Sequence, residues 1–140
     1  MQWEEPHPQA TYPGMTPTEA AIWTRWLAKH NGQVVGVSYN VRLGQGLPVP
    51  DGIEDWLKRD WQALTQLRAD VLANWNAQFW VVEVKPRQAM SGLGQCLCYA
   101  AAARRQFQLA GTPRMLHVVS APTPDLVEAF ERAGVICEVV

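Results

Sequence analysis

The sequence predicts an α/β fold, a mixed central sheet flanked by helices, and three observations carry that reading. Residues 67–72 and 79–86 are rich in β-branched and aromatic side chains, and between them Asn74-Trp75-Asn76-Ala77-Gln78 suits a tight turn. Segments of helical period precede and follow this hairpin. From about residue 84 to 118 a strand, a helix and a strand succeed one another, the order of a right-handed parallel crossover. Helices packed on a sheet are the simplest way to bury such a set.

The elements follow in order. Residues 1–15 carry Pro6, Pro8, Pro13 and Gly14 and are expected to form an extended arm. Thr16, Pro17 and Glu19 make a capping box at the start of a helix. Ile22, Trp23, Trp26 and Leu27 mark its apolar face, and Asn31-Gly32 ends it. Residues 33–43 read as a strand and 44–50 as a loop. Asp51 is expected to cap a second helix with Ile53, Trp56, Leu57, Trp61 and Leu64 on its buried stripe. After the hairpin, residues 88–92 form a loop. Residues 93–109 form a helix that is small or apolar nearly all round, so packing on more than one side is expected. Residues 114–120 are a strand, Thr123-Pro124 starts a last helix that Gly134 stops, and residues 135–140 close as a strand.

The chain has 140 residues, 48% of them apolar and 18% charged, enough for one folded domain over residues 16–140. Its 12 basic and 13 acidic residues leave a net charge of −1, so no global field draws in nucleic acid. Any such contact must come from a local patch, for which Arg87, Arg104, Arg105 and Arg114 are candidates. Three cysteines without CxxC spacing argue against a disulfide framework and a structural zinc site. Reduced, buried thiols in a cytoplasmic setting are expected. His7, His30 and His117 show no ligand spacing. The acidic, proline-bearing start does not read as a signal peptide, and no run reaches membrane-spanning length. Most of the seven tryptophans have core spacing, with Trp3 and Trp75 expected to be exposed.

The hairpin carries the chemistry. A turn centred on Asn76-Ala77 sets Trp75 opposite Gln78. Counting back then sets Asp70 opposite Glu83, with Cβ atoms about 5 Å apart. Lys85 shares the face of Glu83, while Val82 and Val84 fill the other face. Two like charges that close repel unless something offsets them, and a divalent cation held by oxygen ligands is the natural offset. The alternative is a solvated charged face, but a segment this apolar reads as a central strand, where charges are rare without a reason.

These residues resemble the PD-(D/E)XK nuclease superfamily, in the branch with a Gln-x-x-x-Tyr motif, as in phage-type exonucleases and resolvase-like enzymes. Asp70 matches the family's second-strand Asp, and Glu83-Val84-Lys85 matches its third-strand (D/E)xK. Gln95-Cys96-Leu97-Cys98-Tyr99 stands where the branch has its helical motif, and Glu19 matches a first-helix Glu. The Pro of the family name is absent, since Ala69 precedes Asp70. The resemblance spans residues 16–120 and implies a restriction-endonuclease-like αβββαβ core with a C-terminal αβ extension. It also implies a metal-dependent DNA nuclease of phage or mobile-element type, without strong sequence specificity. Asp70, Glu83, the Val84 carbonyl and Glu19 would hold Mg²⁺ or Mn²⁺. Asp70, Glu83, Lys85, Gln95 and Tyr99 would be catalytic, and Arg68, Arg87, Arg104 and Arg105 would contact nucleic acid. A homodimer is plausible, and no membrane partner is expected. The competing expectation is a catalytically inactive relative that binds DNA or serves as an assembly subunit. A third is an unrelated α/β binding domain with an incidental acidic hairpin.

Overall fold

The computed structural model describes every residue, Met1–Val140. A five-stranded sheet runs in the order β1 (Val34–Leu43), β2 (Leu67–Trp75), β3 (Gln78–Val84), β4 (Arg114–Val119), β5 (Val135–Val139). The first two pairings are antiparallel and the last two parallel, so the sheet is mixed. Four helices accompany it: α1 (Pro17–Lys29), α2 (Asp55–Thr65), α3 (Met90–Gln106) and α4 (Val127–Ala133).

Thr16 caps α1 as the sequence predicts, its Oγ1 accepting the Glu19 amide at 3.2 Å, while the Glu19 side chain makes no return bond to the Thr16 amide, so the expected capping box is only half formed. The helix covers one face of the sheet. Trp23 and Trp26 stack at 4.8 Å between ring centres, and Trp75 meets Trp26 edge-on at 5.0 Å. They join Val37, Val71, Val82, Val84, Leu116 and Val118 in the larger core. The other face packs Leu72 and Val81 beneath Tyr99, Ala100 and Ala103 of α3. Gly134 ends α4 in the left-handed conformation, at φ 74°, where a Cβ would be strained. The N-terminal arm pairs with the edge of β1, since Glu4 and Val37 exchange both backbone hydrogen bonds at 2.9 Å.

Several expectations fail for identifiable reasons. Asp51 lies in a turn and does not cap α2, which begins at Asp55 with Glu54 as N-cap. The stripe of α2 is not buried, because the helix lies on the loop after β1 and not on the sheet. Trp61 reaches only the carbonyls of Leu47 and Pro48, and Trp56 stays 56% exposed. Trp75, expected outside, is buried by Trp26, Trp80 and His30. The third helix begins three residues early, at Met90; besides the sheet it shares a small core cluster with Phe130 of α4 through Cys96 and Leu93, while its outer face leaves Leu97 and Cys98 exposed. Of the three thiols only Cys96 is fully buried.

Candidate active site

The hairpin register is the expected one. Asn76 and Ala77 both take positive φ, 51° and 57°, which matches the twist of an antiparallel pair. Trp75 pairs with Gln78, and the ladder continues to Val71 opposite Val82. There it stops. Meanwhile β2 stays paired with β1 as far as Leu67, and β3 stays paired with β4 through Val84 and Lys85. The two middle strands therefore part after Val71 and Val82, leaving a fork in the sheet.

Asp70 and Glu83 fill that fork. Each carboxylate accepts a backbone amide of the opposite strand. Asp70 Oδ2 accepts the Val84 amide at 2.8 Å, and Glu83 Oε1 accepts the Asp70 amide at 3.2 Å. Along β3 the amide and carbonyl of one residue point the same way, so the Val84 carbonyl also faces the fork. Period-two counting does not hold through this point. Ala69 packs toward α3, whereas Val71 packs toward α1. The partner strand turns with it, where Asn40 takes a φ of 51° between Tyr39 and Val41.

The pair is electrostatically unusual. Glu83 is 1% exposed, and burial, followed by the Asp70 charge, pushes its carboxyl up to about 9. Burial also raises Asp70, against the opposing pull of its bond from Val84, and Glu19 adds to the rise. Without a cation, Glu83 therefore keeps its proton through neutral pH, with the Asp70 side chain as its hydrogen-bond neighbour.

The surrounding residues divide by position. Lys85 is half-buried and favours the charged forms of both acids, yet it forms no ion pair with either. Glu19 comes within Coulombic reach of Asp70. No third His, Cys, Asp or Glu completes a compact ligand group. Gln95 and Tyr99 meet on one face of α3, with Gln95 Nε2 donating to the Tyr99 hydroxyl at 3.4 Å. Gln95 Oε1 is buried without a partner. Burial and then the Glu83 charge raise the Tyr99 hydroxyl, which places this pair beside the acids. The nucleic-acid candidates scatter. Arg87 is tied to the Pro122 carbonyl at 2.9 Å. Arg104 and Arg105 line a groove with Leu97, Leu109 and Met115 that does not include the acid pair. Arg68 is exposed, two residues before Asp70. Arg114 lies at the other end of the sheet, over the Trp80 ring at 5.1 Å.

His117 belongs to the support of this site, though no ligand spacing in the sequence marks it. Fully buried, it binds the Glu83 carbonyl through Nδ1 at 3.0 Å and accepts the Ala89 amide at Nε2. Gly92 lets α3 start against it, since a Cβ there would lie 2.6 Å from Nε2. Burial lowers the His117 pKa, in keeping with a neutral ring that donates at one nitrogen and accepts at the other.

No known protein family, curated protein or solved structure matches the chain. No helix is long and apolar enough to cross a membrane. The arrangement in the fork can accept a cation in place of its shared proton. Its donors are all oxygens, the choice of Mg²⁺ and Mn²⁺.

Proposed function

We propose that this chain is a metal-dependent nuclease of the restriction-endonuclease-like type, hydrolysing phosphodiester bonds in DNA. The observation that carries the reading is the acid pair. Two carboxylates on neighbouring strands lie where the sheet opens, close enough to share a proton. The order α1-β1-β2-β3-α3-β4 supports a restriction-endonuclease-like core, with α2 as an insertion and α4-β5 as the extension.

The residues fit a divalent ion. Asp70 and Glu83 would hold it with the Val84 carbonyl, and the absence of a third acidic ligand suits Mg²⁺, which keeps several waters. When bound, such an ion lowers the pKa of water and neutralises charge on a phosphate. The chain's own groups supply the rest. The Lys85 ammonium, free of any ion pair, is available to a phosphate oxygen as negative charge builds there. Gln95 Oε1 lacks a donor and can accept a hydrogen bond from the attacking water. The Tyr99 hydroxyl, held by Gln95, can donate to the substrate. His117 fixes the Glu83 backbone from below.

The test is nicking of a supercoiled plasmid in Mg²⁺ or Mn²⁺. Wild-type protein is expected to cut, and Asp70→Asn and Glu83→Gln are not. A second reading, a non-catalytic assembly or DNA-binding subunit, is favoured by α2, where Trp56 and Leu64 are 56% and 58% exposed. A wild-type protein that binds a divalent ion without cutting would favour it.

A further inference from the structure

We propose that Arg42 and Arg68 form a phosphate subsite beside the acid pair, so that the site takes a nucleic-acid strand with consecutive phosphates. The inference rests on the nuclease reading and narrows its substrate class. Arg42 and Arg68 are direct cross-strand partners on β1 and β2. Like charges so placed repel and destabilise a sheet unless an anion offsets them. Both side chains are exposed, and neither guanidinium joins any ion pair in the structure. Their neighbours Val41, Leu43 and Ala69 pack toward α3, so both arginines lie on the side of the sheet away from that helix.

Position makes the pair more than a solvated patch. Arg68 lies two residues from Asp70, about 6.6 Å along the strand. That is comparable to the distance between neighbouring phosphates of one strand. A pair of unneutralised arginines thus lies one strand step from the Asp70 carboxylate. One phosphate can sit at the acids and the next one on the arginines. A mononucleotide offers only the first, whereas a strand offers both.

The test is anisotropy of a short labelled single-stranded oligonucleotide in EDTA, titrated between roughly 0.05 and 0.2 M salt. Arg42→Gln and Arg68→Gln are each expected to bind about fivefold more weakly at 0.1 M salt, with the log–log salt slope smaller by about 0.7. Arg132→Gln, which breaks an ion pair with Glu128 on α4, should leave binding unchanged. Because the two guanidinium groups repel, neither site variant should lose thermal stability, which circular dichroism checks. Variants that bind with wild-type affinity and slope overturn the subsite, as does a folded wild type that binds no strand at low salt. The two readings fail separately. Cleavage unaffected by both substitutions removes the subsite alone. Arginine-dependent binding without metal-dependent nicking removes the nuclease reading alone.

Discussion

Glu83→Gln keeps the shape of the side chain and removes its titration. In the wild type the Glu83 carboxyl moves from 4.5 in the unfolded chain to about 9 in the fold, through burial first and the Asp70 charge second. Between those values the folded chain holds a proton that the unfolded chain has released. Stability from this group is therefore complete below the unfolded value and is lost as pH rises toward the folded one. The slope is about 1.4 kcal/mol per pH unit. At pH 7 the accumulated loss is about 3 kcal/mol. Glutamine has no proton to lose. Its amide NH₂ stands where the carboxyl proton stood, facing Asp70, and its oxygen can still accept the Asp70 amide. In EDTA at pH 7, Glu83→Gln should therefore gain up to about 3 kcal/mol, roughly a 10 °C rise in Tm. The decline in stability between pH 5 and 9 should largely disappear. Urea unfolding in EDTA across that range reads both. A flat wild-type profile, or a variant that is less stable than wild type at pH 7, would refute the shared-proton argument.

Other outcomes follow from the same geometry. Asp70→Asn should stabilise the metal-free protein at pH 7, because it removes the charge that helps raise the Glu83 carboxyl, and should abolish any rise in Tm with Mn²⁺. In the wild type that rise amounts to about 2.7 kcal/mol at a hundredfold excess over Kd, and a surviving metal response would show that Asp70 is structural. Lys85→Ala should retain cation affinity by calorimetry while losing cleavage, because an ammonium is no ligand; equal loss of both would contradict its role. Gly92→Ala drives a methyl into His117 and should cost about 1–3 kcal/mol in urea unfolding. Gly94→Ala, with open space around it, should instead stabilise the helix by about 0.5–1 kcal/mol.

The parts of the fold legible in the sequence are those governed by local chemistry. Thr16-Pro17-Thr18-Glu19 specifies a helix start by itself. Asn76-Ala77 centres the turn, and from that turn the register runs as far as Val71 opposite Val82, one step short of Asp70 and Glu83. What the sequence conceals depends on partners far along the chain. The stripe on α2 has the spacing of a buried face, yet the fold places only a short loop beneath it. Trp75 is covered by Trp26 and His30 from a helix more than forty residues earlier. The twist at Asp70 comes from Asn40 on the neighbouring strand, and no count along β2 reveals it. The fork is of the same kind, because it exists only where two ladders continue and a third stops. His117 escapes notice for the opposite reason, as a lone histidine in a strand that carries no motif. Arg42 lies far in sequence from the acid pair, and pairing across β1 and β2 alone brings it near.

Calorimetric titration of Mn²⁺ at pH 7, repeated in buffers of different ionisation enthalpy, tests the acid pair most directly. A cation that takes the place of the shared proton must release that proton to the buffer. The expected result is one ion per chain with about one proton released, and neither in Asp70→Asn. Binding with no proton release, or release that survives in Asp70→Asn, would contradict the assignment of Asp70 and Glu83 as the metal-binding centre.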